Sequence, residues 1–205
     1  VVWMNDASDM DKMGTGSVRD QYLTYRDARL YDRFITQGQQ FPISNLYYHE
    51  PVKAYWYGGV NEPLEEFRKY MYMCLARGIG FNELYYSAKI LTPEEWNVTG
   101  EVLNWSKNNF EVLKFSHMIG GNPANGEIYG YSSWTRQKGF VTLRNPSSGI
   151  KTFDFTLDES FGVKPGSGPF SRKAVYPSMI LDNGPFKYGD AIHVTLKPYE
   201  VNIYE

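Results

Sequence analysis

Val1-Val2-Trp3-Met4-Asn5-Asp6-Ala7-Ser8-Asp9-Met10-Asp11 opens the chain with a four-residue apolar run that passes straight into a loop bearing three carboxylates. The apolar run reads as a strand, so the acidic cluster stands at that strand's C-terminal mouth. Gly14-Thr15-Gly16-Ser17 breaks the pattern, and from about residue 19 to 37 Tyr22, Tyr25, Tyr31, Phe34 and Ile35 recur near helical spacing. Gly38 is suited to stop that helix. A second strand is expected over Phe41-Pro42-Ile43-Ser44-Asn45-Leu46-Tyr47-Tyr48-His49, finishing like the first on polar and aromatic groups. This is the rhythm of a (β/α) barrel, whose chemistry sits on strand ends.

The rhythm continues. A Tyr- and Gly-rich loop, Ala54-Tyr55-Trp56-Tyr57-Gly58-Gly59, precedes a helix opened by Asn61 and Pro63 and closed by Gly78. Its Leu64, Phe67, Met71, Cys74 and Leu75 repeat at three and four residues, which is an amphipathic pattern. Phe81-Asn82-Glu83-Leu84-Tyr85-Tyr86-Ser87 reads as a third strand, and Thr92-Pro93-Glu94-Glu95 is a capping box for a long helix reaching about Lys114. Strand and helix thus alternate three times, as in parallel βα units. Three units cannot close a barrel of eight.

Composition shifts at Ile119-Gly120-Gly121-Asn122-Pro123, a junction taken as the boundary between a partial barrel over 1–120 and a second unit over 121–205. Beyond it, 127–134, 140–144, 151–157, 173–181 and 191–204 read as short strands separated by turn-forming clusters. The expected fold class is therefore α/β plus all-β: the last βα units of a (β/α)8 barrel followed by an antiparallel β-sandwich.

With 42% hydrophobic residues over 205 positions the chain can bury a substantial core. The net charge of −2 and the absence of any Lys/Arg run longer than a pair give no support to nucleic acid or an anionic membrane as partner. No apolar run is long enough for a membrane span or a signal peptide. There is no initiator Met and the chain opens inside an apparent strand, so a preceding segment is expected. The single cysteine, Cys74, excludes an internal disulfide and falls on an apolar helix face. Aromatic residues reach 17%, a composition that suits stacking on the apolar faces of sugars, although many such rings serve simply as core.

The residues just quoted resemble, in order, the late barrel strands of clan D glycoside hydrolases, especially family 36 α-galactosidases and related α-N-acetylgalactosaminidase-like enzymes. Trp3-Met4-Asn5-Asp6-Ala7-Ser8-Asp9 is similar to the family's strand-end segment of an aromatic, two spacers, Asp, two spacers and Asp. Ile35-Thr36-Gln37-Gly38, then Phe41-Pro42-Ile43-Ser44-Asn45-Leu46 and His49, is similar to the next helix end and strand. Glu83-Leu84-Tyr85-Tyr86-Ser87 with 91–96 resembles the final barrel strand and helix, and Gly130-Tyr131, Lys138-Gly139 and Leu143-Arg144-Asn145-Pro146 resemble the trailing β-sandwich. The resemblance implies a retaining hydrolase of α-linked glycosides, needing no cofactor, with an extracellular or periplasmic setting. It also implies that the nucleophile belongs to an earlier barrel strand that this chain lacks. The helix around Arg26-Asp27 is longer than the α-galactosidase pattern and closer to divergent, endo-acting relatives.

On that reading Asp6 is the general acid/base, and a second carboxylate nearby would raise its pKa for the task. Asp9 is that neighbour or a ligand for sugar hydroxyls. The alternative for Asp6, Asp9 and Asp11 is a solvated turn or a helix cap cluster, and their spacing does not suit a calcium loop. Trp3, Asn5, Tyr48, His49, Trp56 and Tyr85 are the candidate sugar-binding residues, with Trp3 equally a core residue and His49 equally a strand-end histidine satisfied by backbone. Arg26-Asp27 reads as a surface helical pair. His117 and His193 have no ligand-spaced partner, so no metal is expected, and Asn97-Val98-Thr99 is a glycosylation pattern placed inside a helix. The competing reading is a non-catalytic carbohydrate-binding or structural β-sandwich module.

Overall fold

The computed structural model describes residues 2–4, 11–55, 61–179 and 184–205, the first three by their backbone. Its N-terminal part alternates strand and helix. β1 (Val2–Met4), β2 (Leu46–Tyr48) and β4 (Phe81–Asn82) form a parallel sheet in the order β1-β2-β4. Just beyond, β3 (Val52–Lys53) runs parallel to β5 (Tyr85–Tyr86). Tyr48 stands beside Asn82 and Val52 beside Tyr85, so β3 and β5 prolong β2 and β4 with the register shifted by one residue.

The helices between the strands form for local reasons. α1 (Val18–Tyr31) starts at a capping box in which the Ser17 hydroxyl accepts from the Asp20 amide while Asp20 accepts from the Ser17 amide. It runs into a π-helical turn, Asp32–Thr36, short of the expected end at Gln37. α2 (Leu64–Ala76) follows Pro63, and α3 (Pro93–Leu113) carries the anticipated Thr92–Glu95 capping box with Pro at its first position. Phe67, Tyr70, Met71, Cys74 and Leu75 of α2 are all buried in one core with Leu46 and Tyr48. The segment 41–45 is not strand: Ile43–Asn45 forms a 3-10 turn after Pro42, which cannot donate to a ladder.

The second part is antiparallel. β6 (His117–Gly120), β7 (Tyr129–Trp134), β8 (Gly139–Arg144), β10 (Ala174–Tyr176) and β12 (Val201–Tyr204) form one sheet in the order β10-β12-β8-β7-β6. β9 (Lys151–Thr156) and β11 (Ala191–Leu196) form a second. The Gly/Pro junction at 119–123 is the turn between β6 and β7, so His117–Gly120 pairs with the antiparallel sheet. The larger sheet is covered on both faces. Met118, Tyr131, Phe140 and Ile203 point to the helices, while Ile119, Val141, Leu143 and Tyr204 share a core with Ile192, Val194 and Leu196 of the smaller sheet. Alternation of side chains along a strand makes this division possible, and burial of both faces explains why β7, β8 and β12 carry so few exposed positions.

Candidate functional site at the parallel strand ends

The period-two alternation of β2 decides which residues face outward. Tyr48 turns toward the helices and is fully buried, its ring 4.4 Å from the Arg26 guanidinium. It therefore offers no surface to a ligand, and the expectation that it binds sugar is corrected: it is a platform for a buried cation. Tyr47 and His49, one residue to either side, take the opposite face, with ring centroids 5.1 Å apart. On the neighbouring strand Phe81, Glu83 and Tyr85 share that face. Phe81 meets Tyr47 edge-on at 4.7 Å, and Tyr85 meets His49 at 6.4 Å.

Glu83 joins the two sides. The Tyr47 hydroxyl donates to it at 2.8 Å, and His49 Nδ1 contacts the same carboxylate oxygen. The hydrogen bond to Glu83 raises the pKa of Tyr47, keeping its proton in place. With Nδ1 held by a carboxylate, the ring orientation of His49 is fixed. Tyr85, 43% exposed, and Phe81, 55% exposed, complete an aromatic, partly polar surface on the face away from the helices. Of the residues on this face, the sequence singles out His49 and Tyr85 as candidates and not Glu83 or Tyr47. Their Tyr-x-His and Glu-x-Tyr spacing on adjacent parallel strands was the available signal.

Of the other candidates, Asn5, Asp6, Asp9 and Trp56 lie outside the described residues. Trp3 is described by its backbone alone, in register with Tyr47. Ala54 and Tyr55 of the aromatic loop follow β3, with Tyr55 exposed.

Behind this surface lies a buried set of charges. Arg26 and Asp27, expected on the surface, are 1% and 0% exposed. Arg77 Nε donates to Asp27 Oδ1 at 2.8 Å, and Arg77 also contacts Glu50, which follows His49 and accepts from the Tyr70 hydroxyl at 3.1 Å. Asp27 further accepts from Tyr129 at 2.5 Å and Tyr131 at 2.7 Å on β7. Arg144 of β8 bonds to Thr24 and to Asp20. A second cluster at the ends of β3 links Lys53 to Glu62 at 3.0 Å and Glu95 at 2.5 Å, with Arg19 on Glu62. Buried charges are tolerable only when so matched. Among the described residues no group of three or more His, Cys, Asp or Glu could hold a metal, and no helix is long and apolar enough to cross a membrane.

No protein-family model matches the chain, and no curated protein matches it in sequence. Its fold is similar to that of α-galactosidase I from Mortierella vinacea, with a TM-score of 0.54 and 12% identity over 90% of this chain and 43% of that one. A crystal structure described as a putative α-N-acetylgalactosaminidase from Bacillus halodurans matches with a TM-score of 0.51 and 11% identity, again over 90% and 43%. AmyP in complex with maltose gives 0.50 at 10% identity, over 86% and 43%. The chain spans less than half the length of each. The likeness is one of fold, to enzymes of glycoside hydrolysis.

Proposed function

We propose that this chain supplies the last βα units of a (β/α)8 barrel and the trailing β-sandwich of a retaining α-glycoside hydrolase, with Asp6 as general acid/base. The observation that carries the proposal is the shared edge of the parallel strands. Met4 stands beside Tyr48 in the β1–β2 register, so β1 and β2 end at the same edge, and Asp6 follows Met4 by two residues in the sequence. His49, Glu83 and Tyr85 occupy the face turned away from the helices, which in a closed barrel is the interior. The fold likeness to α-galactosidase I supports the same arrangement.

In this reading Asp6 gives its proton to the departing glycosidic oxygen, then takes one from the water that releases the sugar. A nucleophilic carboxylate about 5–5.5 Å away attacks the anomeric carbon. This chain contributes one carboxyl of that pair, and a further barrel strand of the enzyme contributes the other. By itself the 205-residue chain is not expected to turn over. His49, oriented by Glu83, bonds to a sugar hydroxyl; Tyr85, Trp56 and Trp3 are stacking platforms; Asn5 and Asp9 hold hydroxyls.

The test is stereochemical. Hydrolysis of 4-nitrophenyl α-galactoside and α-N-acetylgalactosaminide, by the protein as its cells make it, is followed by proton NMR of the anomeric signals. The α-anomer of the sugar should appear first. First release of the β-anomer would overturn retention, and no hydrolysis of any α-glycoside would overturn the proposal itself.

A further inference from the structure

A cavity of about 300 Å³ lies in the antiparallel unit, within the second core and not at the strand ends described above. Its floor is aliphatic, from Val141, Ile192 and Val194. Its walls are aromatic: Trp134 and Phe170 meet with centroids 5.1 Å apart, and Phe170 is held by a two-way backbone bridge to Phe186. The Trp134 indole rests against Gly139, where an added Cβ would come within 2.1 Å of the ring, and its Nε1 donates to Ser132 Oγ at 2.9 Å. The ring's position is thus fixed from below and from the edge.

The rim is of another character. Lys138 Nζ bonds to Glu205 at 2.9 Å and to Asn109 Oδ1 at 2.9 Å, and both Lys138 and Glu205 are about one-third exposed. Charged donors and acceptors therefore stand side by side above a rigid aromatic wall. A purely apolar ligand would leave these groups unused, and an ionic one would find both signs of charge. A neutral ring with one apolar face and several hydroxyls uses both, through stacking below and charge-assisted hydrogen bonds above. The volume lies at the small end for ligand cavities, which suits one ring.

We propose that this cavity is a second carbohydrate site, seating one neutral pyranose unit with its apolar face on Trp134 and Phe170 and its hydroxyls on Lys138 and Glu205. It rests on the reading that the chain serves a glycan-cleaving enzyme, and gives that enzyme a hold on its polymer away from the cleavage point.

The experiment is ligand-observed saturation-transfer NMR with methyl α-galactopyranoside and methyl α-glucopyranoside. It is run on the full chain carrying Asp6→Asn and His49→Ala, so that the strand-end site is silenced. Binding of at least one sugar should persist in that background. Adding Ser171→Trp, which fills the cavity from an exposed position, or Lys138→Ala, which removes a rim donor, should weaken binding by about tenfold or more. Circular dichroism checks that each variant folds, and Lys138→Ala is the milder of the two. Sugar binding lost in the starting background, or unaffected by both added changes, would overturn the second site. Binding of cyclohexanol but of neither sugar would overturn it in favour of an apolar pocket. The glycosidase assay of the unsubstituted protein reads the parent proposal separately.

Discussion

Tyr131 donates its hydroxyl to the carboxylate of Asp27 at 2.7 Å, across 104 residues of sequence. One residue belongs to β7 of the antiparallel sheet and the other to α1 beneath the parallel strands. Tyr129 reaches the same carboxylate, and Arg77 approaches from α2. Asp27 is therefore the point where the antiparallel sheet, α1 and the end of α2 are joined by directional bonds, and Arg77 extends the join to Glu50, the residue after His49. Apolar contact alone would let the sheet slide over the helices; convergent hydrogen bonds to one buried carboxylate fix its position.

Asp27→Asn removes one of the two carboxylates that neutralise the fully buried Arg77 and turns one of the two oxygens that accept from Tyr129 and Tyr131 into a donor. Breaking one partner of such a set costs about 3–5 kcal/mol, because the remaining charge stays buried. Urea unfolding should show that loss. Tyr131→Phe should cost less, about 1–3 kcal/mol, since it removes one neutral donor.

Asp20 gives the fold an acid limit. Burial pushes its pKa up, but Arg144 and Lys69 outweigh burial and hold it below the usual carboxylate value. A group with a lowered folded pKa binds protons more readily when unfolded. Its contribution is present above the unfolded value of about 3.9 and is lost as pH falls through the folded one. Urea midpoints measured from pH 7 down to pH 2 should fall below about pH 4, and Asp20→Asn should flatten that fall while lowering the plateau.

Gly130 is required by the close approach of β7 to β8. A Cβ there would stand 1.7 Å from the Thr142 carbonyl oxygen. Gly130→Ala should destabilise by about 1–3 kcal/mol or shift the strand register, read by thermal melting and amide hydrogen exchange across Gly139–Arg144.

Cys74 should behave as a small apolar side chain. Burial pushes its thiol pKa up, and Glu50 adds to the effect. Labelling by a thiol reagent at pH 8 should be negligible in the native protein and become complete only in denaturant.

Much of the helical framework was legible because it depends on local signals. The three- and four-residue spacing of Phe67, Met71, Cys74 and Leu75, and the Thr92–Glu95 box, carry their own explanation. What escaped depends on distant partners. Arg26 and Asp27 look like a surface pair until Glu50, Arg77 and Tyr129 are brought to them by the fold. β6 carries no strand signal of its own because a Gly/Pro cluster closes it, and 191–204 reads as one strand because its turn contains no glycine: Tyr199 itself adopts the left-handed conformation, with φ 57°. At the strand ends, the sequence places His49 and Tyr85 near each other by position, and the fold brings their rings within 6.4 Å. Tyr48 was misassigned because adjacent strand residues face opposite ways, and only packing shows which way is out.

Glu83 should act by orienting His49. Glu83→Gln keeps a hydrogen-bonding group of the same shape but removes the charge beside the imidazole. It should raise KM for an α-glycoside severalfold with a smaller change in kcat; an unchanged KM would show that Glu83 is only structural.

The most direct test of the account is turnover of an α-galactosyl disaccharide and of 4-nitrophenyl α-galactoside by the protein as its cells make it, with and without Asp6→Asn. A sugar leaving group needs protonation and nitrophenolate does not. Asp6→Asn should therefore cut disaccharide cleavage by about 10²–10⁴-fold and spare the first turnover of the nitrophenyl substrate. Equal disaccharide cleavage by both proteins would contradict the assignment of Asp6 as the acid/base.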